Sequence, residues 1–222
     1  MHWVYYFGRV LIRILIFPFG SWKIRGRENV PPRGTFLIVC NHLSLADPPM
    51  VAASIPVKCV FLAKEELFRH GWSRFWVGNF GAIPVSRGAA DREAIKQSED
   101  WLKKGVSVII FPEGGRSKTE KLQTALPGAA LIASHMKVPV LPVSITGTEK
   151  LKNMRLKPLL WCVFHRPKMT VNIGVPFIPA PPNSKLPKEQ RLALMNEIMV
   201  KIAALLPPEY RGVYGENKNA QD

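Results

Sequence analysis

The chain has 222 residues, with 47% hydrophobic and 21% charged residues, which makes one ordinary domain with a substantial core and excludes wholesale disorder. No stretch reaches the roughly 18 consecutive apolar residues of a spanning helix, so a polytopic membrane protein is excluded too. Thirty-one Lys and Arg against sixteen Asp and Glu leave a net charge of +15, a balance that calls for a polyanionic partner: nucleic acid, anionic lipid headgroups or an acidic carrier protein.

The first twenty residues are aromatic and aliphatic, interrupted by Arg9 and Arg13. Those arginines, four apart, share one helix face. They break the apolar stretch a signal peptide would need, and no small-residue cleavage site follows. The segment reads as an amphipathic helix lying in a membrane interface, with Trp3, Tyr5, Tyr6 and Phe7 as interface-type residues. The other reading is a helix packed on the domain's own core. A second one-signed stretch, Lys150 to Lys168, carries Lys150, Lys152, Arg155, Lys157, Arg166 and Lys168 around the apolar run 158–164, with no acid. It suits either a headgroup surface or a buried strand with solvated flanks. The expected organisation is a membrane-associating segment over 1–20, a catalytic domain over 21–208 and a polar tail over 209–222, frayed from Tyr210.

Between these basic stretches, short apolar runs alternate with helical patterns. Strands are expected over Thr35–Cys40, Val57–Leu62, Gly81–Val85, Val106–Phe111, Val138–Ile145 and Met169–Ile173, several of them nearly continuous, as in a sheet buried on both faces. Helices are expected over Pro48–Ser54, Glu65–Gly78, Asp91–Lys104, Gly128–Lys137 and Lys188–Leu206. Alternating strands and helices indicate a single α/β domain with a mostly parallel or mixed central sheet flanked by helices. The three cysteines, Cys40, Cys59 and Cys162, form neither a disulfide framework nor a metal motif and point to a reduced, cytosol-facing protein.

The first chemical signal is Asn41-His42 followed by Asp47-Pro48-Pro49. An apolar strand delivers His42 at its carboxyl end, where open α/β sheets place their sites. On a regular helix, five residues turn the chain by roughly 500°, so His42 and Asp47 meet only if the segment folds back. Prolines in a first helical turn, with Asp47 before them, make such a turn natural. A carboxylate on one imidazole nitrogen orients the ring and makes the other nitrogen a base for an alcohol. The plainer alternative is Asp47 as a helix cap and His42 as a satisfied strand-end histidine. A second strand ends in Glu113-Gly114-Gly115-Arg116-Ser117. There glycines let backbone N–H groups approach an anion, and Arg116 can fork onto phosphate. Lys64 and Arg87 end two further strands. Together these cations would form an anion site beside a base. No P-loop, dinucleotide fingerprint or GxSxG elbow is present.

In order along the chain, Asn41-His42 with Asp47, Gly81-x-Ile-x-Val-x-Arg87, Phe111-Pro-Glu113-Gly-Gly-Arg116-Ser117 and Val138-Pro-Val-Leu-Pro142 resemble the four blocks of the glycerophospholipid acyltransferases. Within these they are most similar to the 1-acylglycerol-3-phosphate acyltransferases. The resemblance runs over roughly 22–180, and Gly115 departs from it where a threonine is usual. It implies His42 as base and Asp47 as its orienting partner. Lys64, Arg87, Glu113, Gly114, Gly115, Arg116 and Ser117 would bind substrate, Glu113 by accepting from a glycerol hydroxyl or bracing an arginine. Pro142 would shape the acyl-donor wall. The implied reaction moves an acyl chain from acyl-CoA or acyl carrier protein to a lysophospholipid hydroxyl, forming phosphatidic acid, with no metal, cofactor or serine acyl-enzyme. It would take place on the cytoplasmic face of the membrane with no nucleic acid involved. His70, His135 and His165 read as non-catalytic. The alternatives are another lysophospholipid or glycerol-3-phosphate as acceptor, or a non-enzymatic basic protein binding membrane or nucleic acid.

Overall fold

The computed structural model describes residues 2–68, 78, 81–85, 90–154, 156–179 and 187–215. Seven strands form one mixed sheet: β1 (Ser21–Arg25), β2 (Leu37–Cys40), β3 (Cys59–Lys64), β4 (Ala82–Val85), β5 (Ser107–Ile110), β6 (Val140–Thr146) and β7 (Lys168–Ile173). Their spatial order is β1-β7-β6-β2-β5-β3-β4. Strands β2 to β6 run parallel, and β7 turns antiparallel against β6 while pairing parallel with edge strand β1. Leu37, Ile38, Val39 and Cys40 are all fully buried, because β2 lies at the sheet's centre with helices on both faces. That two-sided burial is why the strand reads as a continuous apolar run rather than an alternating one.

The two faces carry separate clusters of side chains. On one, α1 (His2–Ile16), α2 (Asp47–Ser54) and α5 (Leu156–His165) cover Ile38, Cys40, Ile109 and Val143. On the other, α3 (Ala90–Lys103), α4 (Gly128–Met136) and α6 (Lys188–Ala204) cover Leu37, Val39, Val108 and Val140. Helix α1 has two characters at once. Tyr5 is buried, its hydroxyl accepting from Cys59 N–H at 3.1 Å. Arg9 donates to Ala53 and Pro56 carbonyls at the end of α2, at 3.2 and 3.3 Å. Tyr6, Phe7, Val10, Ile14 and Leu15 on its outer side are exposed. The helix therefore packs on the domain's own core through one side, as the second reading has it, and leaves large apolar side chains exposed on the other.

Several expectations change. The run 158–164 is the body of helix α5, not a strand. Its Pro158 falls in the first turn, where the missing N–H costs nothing. Strand β1 was not expected, although Trp22 and Ile24 alternate with Lys23 and Arg25. Of the helix expected over Glu65–Gly78, Glu65–Phe68 form a 3-10 turn, and 69–77 lie outside the described residues. The chain expected to fray from Tyr210 packs through Gly215. Leu122 N–H donates to the Tyr210 carbonyl at 2.9 Å, and the Tyr210 hydroxyl donates to Glu149 at 2.9 Å. Cys40, Cys59 and Cys162 are free and buried.

Tyr5→Phe removes the acceptor for a buried backbone N–H. It is expected to lower stability by about 1–3 kcal/mol, read as a shift of the urea midpoint with unchanged slope.

Candidate active site

The carboxyl ends of the adjacent strands β2 and β5 open into two loops that hold each other. After β2, Asn41 continues the sheet with its side chain. Its amide donates to the Ile145 carbonyl at 2.9 Å and accepts from Ile145 N–H at 2.8 Å. The side-chain amide thus replaces backbone pairing with β6 and frees the main chain to turn.

His42 follows, and four contacts fix it. Its Nδ1 lies 2.9 Å from Asp47 Oδ2. Its backbone N–H donates to Glu113 Oε1 at 2.9 Å, and its carbonyl accepts from Ser117 N–H at 2.8 Å. Phe111 packs on the imidazole with ring centroids 4.4 Å apart and planes tilted by 34°. The imidazole is 15% exposed while the Asp47 side chain is fully buried, so only the ring's outer edge reaches solvent. With Nδ1–H given to the carboxylate, Nε2 is the free basic nitrogen.

Asp47 folds the segment back as its spacing required. Oδ2 accepts from Leu43 N–H at 2.5 Å and Ser44 N–H at 2.6 Å as well as from the imidazole. Asp47 does not cap α2, since it is that helix's first residue and no side-chain cap bond forms there. Its Oδ1 is buried with no hydrogen-bond partner. The carboxylate's charge is thus compensated through Oδ2, and among the three donors only the imidazole can acquire a positive charge. A proton arriving at Nε2 is stabilised in place.

Glu113 ties the two loops together. Oε1 holds His42 N–H and Oε2 holds Gln123 N–H at 3.0 Å. Burial pushes its carboxyl above the ordinary range, and the two backbone N–H groups oppose that shift. Each oxygen accepts one main-chain N–H, which gives Glu113 a structural role between the loops beside the expected contact with a substrate hydroxyl or an arginine. Ser117 is likewise a loop residue, its hydroxyl donating to the Lys121 carbonyl at 2.7 Å.

Gly114, Gly115 and Arg116 are exposed beside the histidine loop. Gly114 adopts φ +70°, and a Cβ there would stand 2.8 Å from Leu126 Cδ1. At Gly115 no atom lies within 4 Å of a Cβ position, so the space a threonine would fill stays open. Lys64 ends β3 on the same rim of the sheet. Arg87 and His70 lie outside the described residues. His135 pairs with Glu99 at 3.0 Å and His165 stacks on Trp161 at 4.2 Å, neither in contact with the His42 loop. Asn41 and Phe111 were legible as motif letters, but nothing in their identity gave their roles. Among the described residues no cluster suited to a metal ion occurs.

The Acyltransferase family's sequence profile matches residues 21–146, a span that contains both loops. The chain belongs to the Acyltransferase family. A 1-acyl-sn-glycerol-3-phosphate acyltransferase of Bacillus subtilis (strain 168) is 29% identical over 88% of this chain and 93% of its own length. One from Streptococcus pneumoniae is 32% identical over 70% of this chain and 57% of its own. The crystal structure of the 1-acyl-sn-glycerophosphate acyltransferase PlsC from Thermotoga maritima superposes with a TM-score of 0.66 at 29% identity. That match covers 91% of this chain and 76% of that one.

Glu113→Gln turns one of two accepting oxygens into a donor facing a backbone N–H. The expected loss is about 1–3 kcal/mol of stability, seen in thermal unfolding. The same substitution on a residue serving only substrate would leave the unfolding transition where it was.

Proposed function

We propose that this acyltransferase acylates the free hydroxyl of 1-acylglycerol-3-phosphate from an acyl thioester, giving phosphatidic acid. The observation that carries the reading is the His42–Asp47 pair at 2.9 Å, held by main-chain bonds from both loops, in a chain of this family. His42 Nε2 takes the proton of the acceptor hydroxyl as its oxygen attacks the thioester carbonyl. The tetrahedral intermediate collapses with cleavage of the C–S bond, and the imidazolium returns the proton to the departing thiolate. Asp47 holds the tautomer and balances the transient charge. No metal or cofactor enters this route, since the thioester supplies its own activation.

Arg116, with the exposed Gly114–Gly115 backbone, is the assignment for the acceptor phosphate, with Lys64 on the same rim and Arg87 assigned to it from its place in the sequence motif alone. Acyl-CoA and acyl carrier protein are both donors of suitable chemistry, and nucleic acid has no part in the reaction. The test is purified protein with a panel of lysophospholipids and both donor types, read by lipid mass spectrometry. His42→Ala should lose on the order of 100-fold or more in turnover, and Asp47→Asn on the order of 10-fold or more. A folded His42→Ala protein that keeps near wild-type turnover removes His42 from the role of base.

The site works on lipids, and the reading includes monotopic attachment to the cytoplasmic face of a membrane. No helix among the described residues is long and apolar enough to cross one. Support comes from one side of the molecule. There the outer face of α1 and the exposed Leu160, Trp161 and Phe164 of α5 lie on the same side of the sheet, joined by the turn at Phe17–Phe19. Phe164 is 82% exposed, an orientation that water disfavours and an acyl layer rewards. Salt screens basic side chains but not apolar burial. In vesicle co-sedimentation the wild type should stay bound at high salt, whereas a protein carrying Ile14→Ser and Phe164→Ser should be released. Equal release of both would place these side chains outside the attachment surface.

A further inference from the structure

A pocket of about 390 Å³ lies at the border of this apolar side, lined by Arg13, Phe17, Gly20, Ser21, Trp22, Ile24 and Arg166. Its volume is in the range of small-ligand sites. The Arg13 guanidinium sits 5.5 Å from the Trp22 ring centroid, and that of Arg166 sits 4.8 Å from Phe17. Both arginines are exposed, and neither pairs with a carboxylate among the described residues. Desolvation and the neighbouring charges of Arg27 and Arg9 lower the pKa of Arg13, in keeping with the positive potential gathered there. Trp22 adds an independent sign: its indole nitrogen is buried with no hydrogen-bond acceptor. Two guanidinium groups with no carboxylate partner among the described residues and an N–H without an acceptor are complementary to one phosphate group.

This is not the acceptor site beside His42. Edge strand β1 is separated from β2 by β7 and β6, about 14 Å at roughly 4.8 Å per strand step. The Gly114–Arg116 loop follows β5, on the far side of β2. The apolar neighbours name the source of the phosphate. Phe17 is 68% exposed and Phe164 82%, so a headgroup in the pocket has acyl-accepting side chains beside it, as a membrane lipid requires and free phosphate does not.

We propose that the Arg13–Trp22–Arg166 pocket binds the phosphate headgroup of an anionic phospholipid that is not a substrate, seating the protein preferentially on anionic bilayers. The proposal rests on the membrane reading above. It adds a discrete lipid site to a diffuse attraction by net charge.

The test compares full-length proteins on phosphatidylcholine vesicles with and without phosphatidylglycerol, by co-sedimentation at fixed ionic strength. The variants are R13Q/R166Q, W22F and the charge-matched K103Q/K188Q on the opposite helical layer, with thermal unfolding in parallel to show that each is folded. Wild type is expected to prefer the anionic vesicles. R13Q/R166Q should lose on the order of 10-fold of that preference, and W22F about 3-fold with no change of charge. K103Q/K188Q should stay within about 2-fold of wild type. All four should bind phosphatidylcholine alike. Equal losses in the two charge variants would mean diffuse attraction and overturn the site, as would full preference in W22F. Suppression of the preference by inorganic phosphate at headgroup concentration, but not by matched chloride, would assign the pocket to free phosphate and overturn the lipid. Failure of wild type to bind either vesicle sinks the membrane reading and the proposal with it, whereas binding without anionic preference sinks the pocket alone.

Discussion

One buried carboxylate organises the candidate active site of this protein. Asp47 sits behind the loop that leaves β2, and its Oδ2 gathers the imidazole and two backbone N–H groups. A charge taken out of water requires compensation of this kind. The same bonds that satisfy it bend the chain from His42 back on itself. The loop shape and the orientation of the imidazole are one electrostatic solution, since both depend on the same carboxylate oxygen. Asn41 supports this from the sheet side, and Glu113 extends it by pinning the His42 main chain to the loop after β5. A base on a surface loop would wander through rotamers. His42 is held at its ring, its N–H and its carbonyl, the preorganisation that its proposed role as base requires.

The sheet divides the remaining work. On the layer of α3, α4 and α6 the helices serve the core. On the other layer α1 and α5 bury one side against the sheet and leave large apolar side chains facing outward. Tyr5 and Arg9 anchor α1 to the domain, so its outer side chains are presented on a rigid element. The rim that carries the candidate site and the apolar layer belong to the same body. The exposed apolar surface and the His42–Asp47 pair are thereby fixed relative to each other, the arrangement that the proposed lipid chemistry calls for.

The α/β class, six of the seven strands and the His42–Asp47 pairing were legible in the chain. The buried strands announce themselves as apolar runs, and the prolines after Asp47 announce a turn. Strand β1 was hidden because five alternating residues at a sheet edge carry a weak signal, and Trp22 and Ile24 are only half-buried. The run 158–164 was ambiguous because a short apolar stretch has no period that separates strand from helix. Helical assignment there came from packing against the Phe17–Phe19 turn and from burial of Cys162.

Sequence by itself determined the residue types at the strand ends, their order, the positive charge and the family. What only tertiary structure decided is which groups share a hydrogen bond. Glu113 lies far along the chain from His42, yet it proves to be a clamp on that residue's main chain, each oxygen accepting one N–H. Arg13 from α1, Trp22 from β1 and Arg166 from the link between α5 and β7 meet in one pocket. The reason is physical. Local sequence fixes propensity and periodicity over a few residues. The partner of a buried polar group is chosen by the sheet order, which brings distant strand ends within hydrogen-bond reach only after the whole core has closed.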